Sequence, residues 1–243
     1  AQKGLSMSNP TPNGAQSLIR TLVDSGVEVC FANPGTSEMH FVAALDDVPG
    51  MRAILGLFEG VATGAADGYA RIAGKPACTL LHLGPGLGNG LANLHNARRA
   101  HTPMVNIVGD HATYHKRYDA PLESDIDAVA GTVSSWVHRS MTPDAVPTDG
   151  ARAVAEAMRA PGGVATLILP ADVCWLDSTP PAAPITPQPA AIVPDEVIAA
   201  AARALQSDGD SVLFLGGRTL DERGQRAAVR IAQATGAKLF AEV

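Results

Sequence analysis

The stretch LFEGVATGAADGYAR, residues 57–71, joins an apolar run to a segment rich in Ala and Gly. Glu59 is the one charged residue of this stretch before Asp67. The small residues predict a helix against which another element packs closely. Acidic residues also favour the first turn of a helix, so Glu59 by itself is either a solvated helix-terminal acid or a functional carboxylate.

On both sides of this stretch, apolar runs alternate with helical patterns. Asn13 and Ser37 are the predicted N-caps of the first two helices. Strands that alternate with helices, without hairpin signals, predict an α/β fold with a doubly wound parallel sheet and helices on both faces. The predicted strands are residues 27–32, 51–58, 76–83, 104–109, 136–137 and 164–169, and the predicted helices are residues 13–25, 38–45, 61–72, 91–100, 124–133 and 149–159.

The chain is predicted to contain two domains joined by a Pro-rich segment. Residues 1–12 are expected to be a disordered leader or an expression remnant, and residues 13–177 form the first domain. Residues 178–194 contain six prolines, which remove too many amide donors for a helix or a central strand, so they predict an extended linker. Residues 195–243 predict the beginning of a second Rossmann-like α/β domain, truncated because one βαβ unit cannot cover both faces of its sheet.

Composition excludes several classes of function. A net charge of −6, a pI near 5.6 and the lack of any Lys/Arg-rich run argue against nucleic acid and acidic membrane surfaces as partners. No apolar run approaches the ~20 residues of a membrane-spanning helix, so a cytoplasmic protein is expected. Cys30, Cys78 and Cys174 lie far apart in apolar contexts and predict buried thiols rather than disulfides.

Three groups of residues follow the first three predicted strands. Asn33-Pro34-Gly35 is a predicted turn, Glu59 comes after the second strand, and residues 84–90 are predicted to be a Gly-rich loop. Ligands of α/β proteins bind at the carboxyl ends of parallel strands, so a site is expected at this edge of the sheet. The glycine spacing matches neither a dinucleotide fingerprint nor a phosphate-binding P-loop. Tight packing against the glycines and close approach of a ligand therefore both stay open.

The histidines give no metal site. His40, His95, His101 and His138 are expected at the surface or as capping residues. His111 and His115 have a spacing that suits a metal, but no third ligand lies in a suitable segment, so metal ligands are predicted to be absent.

Four motifs in order resemble the pyrimidine-binding domain of thiamine diphosphate enzymes. They are residues 31–35, Glu59 with residues 66–71, residues 84–89, and residues 102–105. The resemblance covers about residues 15–175 and is to the branch of acetolactate synthase (acetohydroxyacid synthase), pyruvate oxidase and benzoylformate decarboxylase. Residues 211–243 resemble the start of that family's middle domain.

The resemblance implies a role for each matching residue. In the family a glutamate at the position of Glu59 hydrogen-bonds the N1′ nitrogen of the aminopyrimidine and favours the tautomer that activates the thiazolium carbon. That carbon then attacks a 2-oxo acid, which loses carbon dioxide. A carboxyl group is required there because the nitrogen must be protonated reversibly. The implied catalytic residues are Glu59 and His82, and the implied cofactor-binding residues are Asn33, Pro34, Gly35, Glu59, Pro85, Gly86 and Asn89.

The resemblance also implies groups that lie outside this sequence. Relatives hold the diphosphate and Mg2+ in a third domain, with a motif that begins with Gly-Asp-Gly and ends with Asn residues, and this sequence has no Gly-Asp-Gly. The chain alone is therefore expected to be an inactive fragment of a 2-oxo acid enzyme, with FAD a possible further cofactor. The Ala- and Gly-rich helix after Glu59 packs against a partner subunit in the family, so a homodimer or homotetramer is expected.

Two activities compete within the resemblance. Gly84-Pro85-Gly86 and Gly74-Lys75-Pro76 are similar to acetolactate synthase, a carboligase of branched-chain amino acid biosynthesis. Residues 33–38 and His82 are closer to benzoylformate decarboxylase, in which a Ser stands at the position of Thr36. His82 either shuttles a proton at the active site or is a loop histidine bonded to backbone. Residues 110–127 lack the Gln that the synthases carry, and a non-catalytic binding module is the alternative from another class.

Overall fold

A computed structural model describes residues 11–207 and 209–242. The chain divides into two compact units between Gln188 and Pro189, and each unit is described by itself. Of the expected leader, residues 1–10 lie outside the described residues. The domain boundaries given above remain predictions.

The first unit contains six strands and seven α-helices within its described residues. The strands are β1 (Val29–Asn33), β2 (Arg52–Leu55), β3 (Ala77–Leu81), β4 (Met104–Asp110), β5 (Trp136–Arg139) and β6 (Val164–Pro170). The helices are α1 (Gly14–Asp24), α2 (Met39–Asp47), α3 (Glu59–Ala73), α4 (Leu83–Arg99), α5 (Ile126–Gly131), α6 (Val146–Met158) and α7 (Ala171–Trp175).

All six strands form one parallel sheet in the order β2-β1-β3-β4-β6-β5. The chain runs from β1 outward to β2 and then returns to β3 on the other side of β1. This reversal makes a topological switch point between β1 and β3, and ligands of open α/β sheets bind outside the carboxyl ends of the strands at such a point. The predicted α/β class and the doubly wound parallel sheet are confirmed.

Two apolar layers enclose the sheet. One layer contains Leu18, Phe41 and Val154, which pack against strand residues such as Ile107. The other layer contains Leu87 and its neighbours, which pack on the opposite face of the sheet. The central strands β3, β4 and β6 are buried along their whole length, as expected for strands covered on both faces. Cys30, Cys78 and Cys174 are buried and free, as predicted.

Helix ends follow the sequence signals in two places. Asn13 caps α1 and forms a capping box with Gln16, in which each side chain accepts from the other residue's backbone N–H. Gly74 ends α3 in the left-handed conformation, with φ of 63°.

Two predictions of local structure are wrong. Residues 84–90 are not a loop, because α4 begins at Leu83 and includes all four glycines of that segment. Ser37 is not an N-cap, since it lies inside a 3-10 turn, Thr36–Glu38, that precedes α2. In both places long-range contacts at the sheet edge override the local propensity of Gly and Ser.

The second unit contains α8 (Asp195–Leu205), β7 (Val212–Leu215), α9 (Glu222–Thr235) and β8 (Lys238–Ala241). Strands β7 and β8 form a two-stranded parallel sheet. The predicted helix and βαβ unit are therefore present. Residues 179–194 contain neither helix nor strand, which agrees with the extended segment expected from their prolines.

Candidate active site

The three predicted groups of residues meet at the carboxyl edge of the sheet. Asn33 is the last residue of β1, and His82 directly follows β3. Glu59 is the first residue of α3, after the short loop that follows β2. Asn33 Nδ2 donates to the carbonyl of Gly56 at 2.7 Å, which ties the end of β1 to the loop that leads to Glu59. Pro34 and Gly35 follow Asn33 and are half-buried at the same edge.

Glu59 is half-buried, and each of its carboxylate oxygens faces α4. Oε2 accepts a hydrogen bond from Asn89 Nδ2 at 3.0 Å. A Cβ added to Gly86 would lie 3.2 Å from Oε1, a tight contact that the glycine avoids. Asn89 therefore holds one carboxylate oxygen, and Gly86 lies beside the other without a side chain.

The backbone around Glu59 is fixed by contacts between α3 and α4. Thr63 Oγ1 lies 3.0 Å from the Glu59 carbonyl and 3.2 Å from the Gly90 carbonyl. Asn93 Nδ2 donates to the Gly60 carbonyl at 2.7 Å. These bonds satisfy carbonyls at the start of α3, and they hold the helix that carries Glu59 against the one that carries Asn89.

Gly86 also connects Glu59 to His82. Its N–H donates to the His82 carbonyl at 2.8 Å, and its added Cβ would lie 3.5 Å from His82 Cβ. Leu83, between them, is buried with φ of 55°, a strained conformation for a residue other than Gly. Pro85 is exposed on the first turn of α4. The Gly-rich segment therefore joins the two acid–base groups of this edge.

His82 pairs with Glu38, a residue that the sequence did not single out. His82 Nδ1 lies 2.8 Å from Glu38 Oε2, and the same oxygen accepts from Gly35 N–H at 2.7 Å. Glu38 is only 2% exposed. Burial raises the pKa of the Glu38 carboxyl above its ordinary value, although the Gly35 hydrogen bond and the neighbouring His82 act in the opposite direction.

Two glycines make room for this pair. A Cβ on Gly35 would lie 2.4 Å from His82 Nδ1, and a Cβ on Gly109 would lie 1.6 Å from Glu38 Oε1. The reading of His82 as a loop histidine bonded to backbone is wrong for Nδ1, which is bonded to a carboxylate. The signal in the sequence was an acid three residues after Gly35, but only the fold brings it to His82.

The remaining histidines do not join this group. His40, His95, His101 and His138 are exposed, as predicted. Among the described residues no group of three His, Cys, Asp or Glu side chains could hold a metal ion. The rings of His111 and His115 make a T-shaped contact, with centroids 5.2 Å apart, in the segment after β4.

The sequence of this unit matches the model of a known protein family. Residues 12–130 match the family model described as thiamine pyrophosphate enzyme, N-terminal TPP binding domain. This part of the chain belongs to the thiamine pyrophosphate enzyme family. The resemblance stated from the four motifs is thereby confirmed.

Three known proteins are similar to this chain. The chain is 64% identical over 230 residues to IlvX of Mycobacterium tuberculosis, which carries the provisional name acetolactate synthase large subunit, and the match covers 95% of this chain and 44% of that protein. It is 34% identical over 157 residues to benzoylformate decarboxylase of Pseudomonas aeruginosa, covering 64% of this chain and 29% of that protein. The structure of a 4-hydroxybenzoylformate decarboxylase from Rhodococcus jostii superposes with a TM-score of 0.85 at 24% identity, covering 94% of this chain and 44% of the other, which shows a shared fold.

The chain therefore spans less than half the length of these relatives. Within the described residues, no helix has the length and apolar character to cross a membrane.

Proposed function

We propose that this chain supplies the pyrimidine-binding half of a thiamine diphosphate site, and that the complete protein decarboxylates a 2-oxo acid. The observation that carries the proposal is the Glu59 carboxylate, with Oε2 bonded to Asn89 and Oε1 facing Gly86. The bound cofactor would supply the electron sink for the bond that breaks when carbon dioxide leaves. Cofactor-binding roles for Asn33, Pro34, Gly35, Glu59, Pro85, Gly86 and Asn89 belong to this proposal.

Glu59 fits the task of holding a proton against a ring nitrogen. Its Oε2 is fixed by Asn89, so Oε1 is the atom that would give and take the proton. The missing side chain at Gly86 lets a flat ring approach this oxygen closely. An amide in place of the carboxyl could form a hydrogen bond there but could not carry the proton.

We assign the delivery of a proton to the reacting substrate to the Glu38–His82 pair. A histidine bonded to a buried carboxylate has a fixed ring orientation, which leaves its other nitrogen as the group that exchanges protons. Gly86 connects His82 to the Glu59 side of the site. This arrangement favours a decarboxylase that protonates its product and releases an aldehyde, with Glu59 and His82 as the catalytic residues.

Carboligation of the acetolactate synthase type is the second candidate. The identity of 64% to IlvX favours it, and the protein would then be a transferase of branched-chain amino acid biosynthesis. The two candidates differ in product, so pyruvate and benzoylformate given to the complete protein would separate them. Acetolactate from pyruvate supports ligation, while benzaldehyde from benzoylformate supports simple decarboxylation.

The proposal includes a partner subunit, a metal and a cytoplasmic location. Val61 and Ile72 of α3 are 60% and 91% exposed, and Leu57 before the helix is 90% exposed. With Gly68 they form a small, apolar surface that fits a second copy of this chain, giving a homodimer or homotetramer. Mg2+ would be bound by another domain together with the diphosphate, and FAD is a further candidate cofactor. Nucleic acid and membrane are not among the proposed partners.

The substitution Glu59→Gln in the complete protein tests the proposed proton-transfer role of Glu59. We expect Glu59→Gln to lower the rate of thiazolium C2 proton exchange by about 10²-fold or more, as is typical when a general acid–base is removed. Glu28→Gln is the matched control, since Glu28 is an exposed acid paired with Lys75. Exchange in Glu59→Gln at the rate of the unaltered protein would refute the proposal. A protein that binds the cofactor but shows no exchange at all would support the non-catalytic binding module.

A further inference from the structure

The helix that carries Glu59 has a first turn that its own residues hold weakly. Glu59 is the first residue of α3, and the N-cap residue, Phe58, has no polar atom in its side chain to cap the helix. Gly60 follows directly, and Gly is among the poorest helix formers. The first backbone groups of a helix need partners from elsewhere, so the position of Glu59 depends on contacts from outside α3.

Helix α4 supplies such contacts from one of its faces. Asn89, Asn93 and Asn96 follow one another at spacings of four and three residues, which places them on the same face of α4. Asn89 donates to the Glu59 side chain, whereas Asn93 Nδ2 donates to the backbone carbonyl of Gly60 at 2.7 Å. Asn96 Nδ2 lies 3.5 Å from Asn93 Oδ1, on the side of the amide that faces away from α3. Two side chains of α4 therefore hold two successive residues of α3.

Glycines make room for these contacts on both helices. A Cβ added to Gly64 would lie 2.9 Å from Asn93 Nδ2, and a Cβ added to Gly90 would lie 2.9 Å from Thr63 Cγ2. Ordinary nonbonded contacts are about 3.5 Å or longer, so a side chain at position 64 would push the Asn93 amide away from the Gly60 carbonyl. Each helix thus has a glycine opposite a polar side chain of the other, which fixes how far α3 can slide along α4.

We propose that Asn93 is a positioning residue, which pins the first turn of α3 through the Gly60 carbonyl and so sets where Glu59 meets the ring nitrogen of the cofactor. Asn89 holds one oxygen of the carboxylate, but that bond does not fix the backbone from which the side chain extends. Asn93 acts through the backbone and needs no contact with cofactor or substrate. It lies outside the four motifs that resemble the family. The inference rests on the proposed function, because the proton-transfer role of Glu59 comes from it.

Backbone amide hydrogen exchange tests the contact itself, in the complete protein without cofactor. Asn93→Leu keeps the branched shape of the side chain and removes the amide donor. We expect the amide hydrogens of residues 61–64, near the start of α3, to exchange about fivefold faster, because a hydrogen bond that holds this turn is lost. Asn96→Leu is the matched control, because Asn96 is exposed and its contact with Asn93 is at the outer limit of a hydrogen bond. Unchanged amide exchange in Asn93→Leu overturns the inference.

Thiazolium C2 proton exchange at saturating cofactor tests whether the contact acts through Glu59. Asn93→Leu should lower this rate about tenfold, which is less than the loss expected from a full misplacement of the acid. In a Glu59→Gln background the same substitution should cause little further loss, because residues that act through one group are not additive. Gly64→Ala displaces the same amide and should also lower the rate, whereas Gly131→Ala, whose added Cβ meets nothing within 4 Å, should not.

The two measurements separate a positioning role from a general structural one. Equal losses of C2 exchange with and without Glu59 would mean that Asn93 serves the fold as a whole, and would overturn the inference. An unchanged C2 rate in Asn93→Leu would overturn it too, and would leave the proposed function standing. If the unaltered protein shows no C2 exchange, the proposed function fails and the inference fails with it.

Discussion

Gly109 is the residue at which a single methyl group should damage both stability and activity. In Gly109→Ala the added Cβ would lie 1.6 Å from Glu38 Oε1, 2.4 Å from Cδ and 2.8 Å from Cγ. Ordinary contacts between such atoms are about 3.5–4.0 Å, so the Glu38 side chain must move by more than about 1 Å. The carboxylate would then leave His82 and Gly35, both of which bind its Oε2.

The size of the effect follows from this displacement. Inserting a methyl group into a packed site costs about 1–3 kcal/mol. At about 2–4 °C for each kcal/mol in a domain of this size, the thermal midpoint should fall by several degrees. Misplacement of a catalytic group by about 1 Å can lower kcat about 10²-fold. We therefore expect a large loss of kcat in a protein that still folds.

The assay compares Gly109→Ala with Gly131→Ala in the complete protein, by thermal unfolding and by kcat for a 2-oxo acid. Gly131 is exposed, and an added Cβ there would meet nothing within 4 Å. Combining Gly109→Ala with Glu38→Asp removes one methylene from the overlapping side chain and should recover part of the lost stability. Unchanged stability and kcat in Gly109→Ala would show that Glu38 is not confined as described.

Two further predictions concern Glu38 and the α3 surface. The pKa of Glu38 is raised from its ordinary value of 4.5 in the folded protein, so its stabilising contribution is present below that pH and is lost as the pH rises through the raised pKa. Urea midpoints from pH 4 to 8 should therefore fall for the unaltered protein relative to Glu38→Gln, and a relative rise would contradict the burial argument. Ile72→Arg should weaken subunit association, while Ile192→Arg, at a side chain 96% exposed outside the helices, should not. Sedimentation of the complete protein measures this, and a mass unchanged in Ile72→Arg would exclude α3 from the interface.

Local sequence signals determined much of the first unit. The alternation of apolar runs and amphipathic segments predicted all six strands, and the Asn13 cap was predicted correctly, because each depends on neighbours a few residues away. The position of Glu59 at the carboxyl edge followed from the parallel order alone, since all strands of a parallel sheet end at the same edge.

Only the tertiary structure decided how the candidate site is assembled. Glu38 and His82 are 44 residues apart, and they meet because β1 and β3 are neighbours at the switch point. The need for Gly109 and Gly35 comes from the same packing and not from any local turn. The glycines of residues 84–90 predict a loop by propensity, whereas packing of α4 on α3 makes them helical. Propensity acts over a few residues, but the contacts that place acid–base groups join strands far apart in the chain.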